Sequence, residues 1–502
     1  MKRDVVVAGW GQVTQPKQLT EPAKDPMGLM VQASRNAALK LTDPNGLAHV
    51  DGIMVVRSLS THYGAPAAQL AEKLGASPRF LHVSKIGGNS PQTLVNKGAA
   101  MIARNELDSI LVVGAEAYVP RSGTHLTCPS KKMESALLQG IPDDYTGEDA
   151  FGSTRLETLY GIEHPMQGFP LFETALWAAS GLDLSAYLHK VASMWAGFSK
   201  VAASHPNAWS KHARTSEEIL TQGPLNRPIA FPYTKFMNSF VTVDQGAAVL
   251  LMSEEYARKY RDKTLEPVYF LGGGYAQDRQ RFMIEKSDFT ASPPLEAAVK
   301  KALDRSGLNL ADMDCFDLYS CFPCAVSITK KMMHIREEDP RPLTLTGGLG
   351  FFGGPGNNYN LHAIATLAEM IARGEKRTGL VTALGWFMHK HAAGIYSSIP
   401  PKKSLETIDI EDQTNRLAGA PPVGIDDKAT GKGFIETYTI VYARNQSPSY
   451  AVLYGRTGQG HRFIAQTLPD PEIFEQLSSR SMVGESVSLR FDQNRKMTIA
   501  LF

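Results

Sequence analysis

Tyr319-Ser320-Cys321-Phe322-Pro323 closes one apolar run, and His389 and His391 follow Gly385-Trp386-Phe387-Met388 just past another. Open α/β sheets hold their ligands at such strand ends. A phenol and an imidazole there, Tyr319 and His391, are the candidate catalytic residues that would move protons, with the Cys321 thiol lining the pocket and no essential thiol expected. An imidazole serves directly as a general base, whereas a tyrosine needs a lowered pKa to do so near neutrality. Gly87-Gly88-Asn89-Ser90-Pro91 reads as a strand-to-helix turn, with Ser90 as the N-cap and Pro91 in the first turn. The two glycines let a ligand approach the backbone, and the exposed amides stabilise an anion or oxyanion. A tight turn with no ligand fits the same residues.

Other patterns narrow the chemistry. Lys211, Arg214, Arg227 and Lys235 are candidate phosphate holders as charged donors. Cys321 and Cys324 have zinc-like spacing but no second pair or histidine cluster, so no metal is expected. Gly348-Leu349-Gly350-Phe351-Phe352-Gly353 matches a dinucleotide fingerprint formally. Its acidic partner should end a strand, whereas Glu369 falls within a helical pattern, which excludes a nicotinamide cofactor.

The elements that must position these residues occur twice. Met101-Ile102-Ala103-Arg104-Asn105-Glu106 leads into Ile110–Val113, and Met370-Ile371-Ala372-Arg373-Gly374-Glu375 leads into Leu380–Ala383. Each copy follows a helical pattern and a glycine pair, Gly87-Gly88 or Gly353-Gly354. Val50-Asp51 with Ile53–Val56 resembles Met313-Asp314 with Phe316–Tyr319 at nearly the same separation. Two related α/β halves follow. Strands at Val5–Ala8, Ile53–Val56, Phe80–Val83 and Ser109–Val113 alternate with helices, which predicts a mostly parallel sheet covered on both faces. Residues 118–240 interrupt the first half as an insertion capping its mouth.

The expected divisions are 1–265 and 266–400 for the halves, 401–433 for a connection, and 434–502 for a small barrel. The last stretch has strands at Ile435–Tyr442, Tyr450–Arg456, Arg462–Gln466, Ser486–Phe491 and Met497–Leu501, with one helix at Pro471–Leu477. That pattern suggests an OB-fold.

With 502 residues, 43% hydrophobic and 20% charged, the chain is of ordinary globular composition. A net charge of +2 gives no reason to expect nucleic acid or a membrane surface as partner, and the scattered arginines of the barrel do not change that. Four cysteines, a short N-terminal apolar run and no spanning segment fit a cytoplasmic protein.

Taken together, these features resemble the thiolase superfamily, whose fold is a five-layer α-β-α-β-α arrangement of duplicated βαβαβ halves. Asp244-Gln245-Gly246-Ala247-Ala248 is similar to the family's Ser-Asp-Gly-Ala-Ala. Gly353-Gly354-Pro355 stands where it has Gly-His-Pro. Tyr319-Ser320-Cys321-Phe322 stands where sterol-carrier-type members have His-Asp-Cys-Phe, and Ala383-Leu384-Gly385 stands for Cys-x-Gly. Aligned on Lys85-Ile86, the family nucleophile falls on Gly87, its activating histidine on Gly354 and its second cysteine on Ala383. The chain looks most like the thiolase-like proteins of type 1, which lack the cysteine and carry a C-terminal domain. Residues 434–502 resemble the OB-fold subunits that accompany thiolases and thiolase-type aldolases, here fused and without zinc-binding cysteines.

The resemblance implies CoA or an acyl-CoA as ligand or substrate and no covalently held cofactor. The acyl pocket would be formed by Gly87, Gly88, Asn89, Ser90, Cys321, Gly354 and Gly385. It also implies pairing of two copies through Phe80–Val83, or a monomer. Without thiolate and imidazole, ping-pong acyl transfer has no covalent carrier. An acetyl-CoA acetyltransferase-like enzyme working through an enolate, a retro-aldol lyase, and a CoA-binding or scaffold protein without turnover all remain open.

Overall fold

The computed structural model describes residues 3–120, 152–405 and 417–502, less 20, 44, 261, 263 and 404. Parts of the expected insertion (121–151) and connection (406–416) lie outside the described residues.

The first half runs β1 (Val5–Thr14), α1 (Pro26–Ala38), β2 (Gly52–Val55), α2 (Pro66–Leu74), β3 (Phe80–Val83), α3 (Ser90–Ala103) and β4 (Ser109–Ala117). The insertion carries two long helices, α4 (Pro165–Ser180) and α5 (Leu184–Ser204), and a small hairpin, β5 (Pro228–Ala230) with β6 (Tyr233–Thr234). β7 (Asp244–Ser253) completes this half. The second follows with β8 (Tyr269–Asp278), α6 (Pro293–Ser306), β9 (Cys315–Asp317), α7 (Pro323–Met332), α8 (Tyr359–Ala372), β10 (Thr378–Gly385) and β11 (Lys390–Ser397).

The strands form one path, β3-β2-β4-β7-β1-β8-β11-β10-β9, with the halves joined by β1 and β8 at Val6 opposite Tyr269. A short strand, β12 (Leu417–Ala418), pairs with β8 off that path. β2 is parallel to β3 and β4, and β9 to β10. β7 and β11 instead run antiparallel to both neighbours, so the sheet is mixed rather than mostly parallel. In the second half the reason is a tight hairpin from β10 to β11, which can only join antiparallel strands. The second-half counterpart of β3 is reduced to an edge. There Phe316 and Leu318 donate to the Pro342 and Leu343 carbonyls, each at 2.9 Å.

The duplication is visible in packing. A Cβ on Gly11 would run into the α1 backbone at Ala33, and one on Gly274 into the α6 backbone at Ala298. On the opposite face, α3 and α8 share one apolar core with Val5, Met54, Val112 and Val249 of the first half and Phe270, Cys315, Val381 and Tyr396 of the second. Both halves therefore close on α3 and α8, which fixes where the glycine turns before them sit.

Residues beyond the second half form the expected barrel. β13 (Gly431–Tyr442), β14 (Pro448–Thr457), β15 (Arg462–Thr467), β16 (Ser486–Asp492) and β17 (Met497–Leu501) close in the order β14-β15-β17-β16-β13-β14, with α9 (Pro471–Ser479) between β15 and β16. The β5–β6 hairpin extends its sheet through Ala230 opposite Val441. Within the insertion, the buried Glu173 carboxylate accepts from the hydroxyls of Tyr187 and Tyr233, tying α4 to α5 and the hairpin. Arg462 is fully buried and links the barrel to the second half by donating to the Lys286 carbonyl at 2.6 Å. Among the described residues no helix is long and apolar enough to cross a membrane.

Candidate active site at the glycine turns

Helix α3 is capped differently from the sequence expectation. Asn89, not Ser90, is the N-cap, and its side chain makes no capping bond. Ser90 is the first helical residue; its amide donates to the Gly87 carbonyl (2.9 Å) and its hydroxyl to the Lys85 carbonyl (2.7 Å). Gly87 at φ +152° makes that tight turn possible. The Gly88 and Asn89 amides meet no acceptor among the described residues. They lie at the positive end of a 14-residue helix.

Tyr319 reaches this turn from the other half. A Cβ on Gly88 would overlap the Tyr319 hydroxyl and stand 2.6 Å from the Leu384 carbonyl oxygen. A Cβ on Gly87 would come 3.8 Å from Cα of Gly385. The Gly87 amide donates to Asn357 Oδ1 at 3.0 Å, and Asn357 Nδ2 donates to the Arg57 carbonyl at 2.9 Å. Asn357 sits at the end of the loop that begins at Gly353-Gly354, so the two glycine turns meet through it. Gly354 itself donates to the Phe240 carbonyl at 2.9 Å and has ordinary room for a Cβ. Asn89 Oδ1, buried and without a donor, faces Gly87 and Gly385.

Electrostatics separate these groups into donors and bystanders. Burial, with the nearby Cys321 second, pushes the Tyr319 hydroxyl well above its ordinary pKa. It is a neutral donor, not the base the sequence suggested. Burial likewise raises the Cys321 thiol, and the Cys321 carbonyl accepts from Ser239 Oγ at 2.6 Å. Beneath Tyr319, the Tyr359 ring stands edge-on at 5.6 Å and its hydroxyl donates to Asp317 Oδ1 at 3.1 Å. Burial lifts the Asp317 carboxyl to about 6 despite a 2.8 Å bond from the Leu345 amide. No group of three metal-ligating side chains occurs among the described residues.

His391 does not join this set. It lies inside β11 rather than past the last strand, and its Nε2 is 3.0 Å from Ser292 Oγ and 3.2 Å from the Met388 carbonyl. That puts the ring on the α6 face of the sheet, away from α3. Burial holds it down to about 3, so it is a neutral clamp between β11 and the start of α6. His389 is also buried and held well below the ordinary range. Alternation turns the intervening Lys390 toward α3 instead, a residue the sequence reading passed over. Asn357 and Asp317 were also missed. Asp317, two residues before Tyr319 and the last residue of β9, was the available signal.

The four basic residues of the insertion divide. Arg214 stacks over Phe236 at 3.7 Å, and the Lys235 amide donates to the Arg227 carbonyl at 2.9 Å. These three cluster where the segment Phe236–Phe240, half-buried except for the fully buried Met237, leads toward Gly354. Lys211 stands apart, donating to the Pro206 carbonyl at 2.9 Å beyond the end of α5.

The buried histidines make acid stability a direct check. His362 and His391 ordinarily titrate near 6.5, and burial holds each to about 3 in the fold. Below 6.5 the unfolded chain takes up protons that the fold refuses, so stability falls as pH drops toward 3. Each histidine steepens that loss by about 1.4 kcal/mol per pH unit. Urea melts should show a shallower decline between pH 6.5 and 4.5 in His391→Gln than in wild type; equal slopes would contradict the placement.

A duplicated, folded-over sheet with glycine turns before two central helices defines a thiolase-fold protein. The match to a monomeric SCP2-thiolase-like protein type 1 from Mycobacterium smegmatis has a TM-score of 0.82 and 30% identity, covering 99% of both chains. Residues 414–494 match the thiolase-like protein type 1 additional C-terminal domain. The chain belongs to the thiolase-like proteins of type 1, within the thiolase superfamily. An Ltp2-ChsH2(DUF35) aldolase (TM-score 0.61, 16% identity, 78% of this chain and 97% of that one) and human mitochondrial 3-ketoacyl-CoA thiolase (0.52, 16%, 79% and 99%) share the fold alone. A probable acetyl-CoA acetyltransferase of Dictyostelium discoideum is 28% identical over 137 residues, 27% of this chain, and the chain spans only 30% of that relative's length.

Proposed function

We propose that the protein binds acyl-CoA thioesters at the Gly87-Gly88 turn and polarises the thioester carbonyl without an acyl-enzyme. The observation that carries this reading is the packing of the neutral Tyr319 hydroxyl against Gly88, whose amide, like that of Asn89, meets no acceptor among the described residues. Three such donors suit an oxyanion. Glycine and alanine at 87, 354 and 383, aligned with the family's reactive positions, leave no thiol or imidazole to carry an acyl group. Enolate chemistry is what remains: a proton leaves the α-carbon for water, and the C–H electron pair moves onto the held oxygen. Arg214, Arg227 and Lys235 would receive the CoA phosphates at the outer end of the Phe236–Phe240 segment.

Calorimetry with CoA and acetyl-CoA tests the reading. Saturable binding is expected, weakened about tenfold or more in the triple variant Arg214→Ala/Arg227→Ala/Lys235→Ala. Lys211→Ala should leave it unchanged. No heat at millimolar ligand would refute it. Binding without deuterium exchange at the acetyl methyl in heavy water would leave a CoA-binding protein that has no turnover.

A retro-aldol version is favoured by one atom. Asn89 Oδ1 is a buried acceptor without a donor, which a β-hydroxyacyl group supplies and a β-ketoacyl group does not. The aldolase sharing this fold lends the same direction. Cleavage of β-hydroxyacyl-CoA but not β-ketoacyl-CoA is the expected outcome, and the reverse preference would discard this version.

A further inference from the structure

We propose that Asn357, held in orientation through the Arg57 carbonyl by the buried Glu116 carboxylate, is the positioning residue that aims the Gly88 and Asn89 amides at the ligand's oxygen; this rests on the thioester reading above.

Two successive glycines leave the turn free to swing unless groups outside it hold it. The peptide that joins Gly87 to Gly88 carries the Gly88 amide, and its carbonyl accepts from the Ser90 amide at 2.9 Å. At its other end, Gly87 donates its own amide to Asn357 Oδ1 at 3.0 Å. With both ends of one glycine tied, the plane that carries the Gly88 amide is fixed, and the Asn89 amide follows it. Asn357 is 4% exposed and has one way round. Its oxygen must face the Gly87 N–H while its nitrogen donates to the Arg57 carbonyl at 2.9 Å.

Arg57 in turn sits in a held loop. Its amide donates to Ser84 Oγ at 3.1 Å, and Ser84 Oγ donates to the Lys85 carbonyl at 2.8 Å, the carbonyl that also takes the Ser90 hydroxyl. The bonds close a ring from Gly87 through Asn357, Arg57 and Ser84 back to Lys85. Glu116, near the end of β4, gathers the next three residues. Its carboxylate accepts from Ser58 Oγ (3.0 Å), from the Leu59 amide (2.8 Å), and from the amide (2.8 Å) and hydroxyl (2.6 Å) of Ser60. Charge-assisted bonds of this kind are stronger than those to a neutral acceptor. Glu116 is 1% exposed, and a Cβ on Gly356 would run into its Oε1. One carboxylate therefore packs under the residue before Asn357 and anchors the loop to which Asn357 donates.

Deuterium exchange at the acetyl methyl of acetyl-CoA, followed beside calorimetric affinity, tests the proposal. In Asn357→Ala the exchange rate at saturating ligand should fall about tenfold or more, with affinity within about threefold of wild type. Glu116→Gln, which keeps the shape and drops the charge, should show the same split with a smaller loss. The double variant should be no slower than Asn357→Ala alone, because Glu116 acts through Asn357. Asn357→Asp adds a readout that a purely structural role would not move. Its carboxylate accepts from Gly87 but repels the Arg57 carbonyl, whereas its protonated form donates there as asparagine does. Its rate relative to wild type should therefore climb as pH falls from about 8 to about 5.5. A misfolded Asn357→Ala leaves the decision to Asn357→Asp and Glu116→Gln. An unchanged saturating rate in Asn357→Ala, losses that multiply in the double variant, or a pH-indifferent Asn357→Asp overturns the proposal. Binding by wild type without exchange leaves the turn nothing to aim at and overturns it too. Failure of wild type to bind acetyl-CoA defeats the thioester reading itself.

Discussion

Replacing Gly88 with alanine is expected to remove acetyl-CoA binding and to destabilise the fold by about 1–3 kcal/mol, the usual cost of overpacking a filled interior. The added methyl would meet three atoms that cannot all retreat: the Tyr319 hydroxyl, its ring carbon Cζ at 2.7 Å and the Leu384 carbonyl oxygen. The Tyr319 hydroxyl ends a buried ring, and the Leu384 carbonyl oxygen, 2.6 Å away, belongs to the backbone of β10. The turn must shift, and it takes the Gly88 and Asn89 amides with it. Gly354→Ala is the matched control, because its nearest atoms would be 3.6 Å away; it should cost little stability. Adding Tyr319→Phe to Gly88→Ala relieves only the hydroxyl contact, so part of the stability should return and the binding should not. Urea melts and calorimetry on the three variants read this out. Wild-type stability and affinity in Gly88→Ala would show that the turn is not packed as described.

Tyr319→Phe alone should slow deuterium exchange into acetyl-CoA about a hundredfold, the order found when one oxyanion donor is deleted. Because burial keeps the hydroxyl protonated throughout the neutral range, the rate loss should be the same at every pH there. Acetyl-CoA affinity should change little, since the donor matters most once charge develops. A loss that grows or shrinks with pH would instead make Tyr319 the titrating base.

The sequence made the duplication and the barrel legible because both leave regular marks. Met101–Glu106 and Met370–Glu375 repeat a helix end, and Arg462–Gln466, Pro471–Leu477 and Ser486–Phe491 carry clean strand and helix periods. The errors came from features without a local mark. Strand direction in β7 and β11 depends on how the chain returns to the sheet, and apolar content cannot report it. His391 stands out along the chain only by residue type, at an apparent strand end. The hairpin after Gly385 places it one step inside a strand, where period-two alternation points it away and brings Lys390 round. Tyr319 reads along the chain as a proton-moving group, a role that needs a lowered pKa, whereas its burial, invisible along the chain, does the reverse. Among the four lid cations nothing in the sequence separates Lys211 from the others; its bond to the Pro206 carbonyl beyond α5 does.

The most direct measurement is a crystal structure with acetyl-CoA bound. The thioester oxygen should lie within hydrogen-bond reach of the Gly88 and Asn89 amides and the Tyr319 hydroxyl, with the nucleotide end toward Arg214, Arg227 and Lys235. Acetyl-CoA seated elsewhere, or with its carbonyl turned from the glycine turn, would contradict the account.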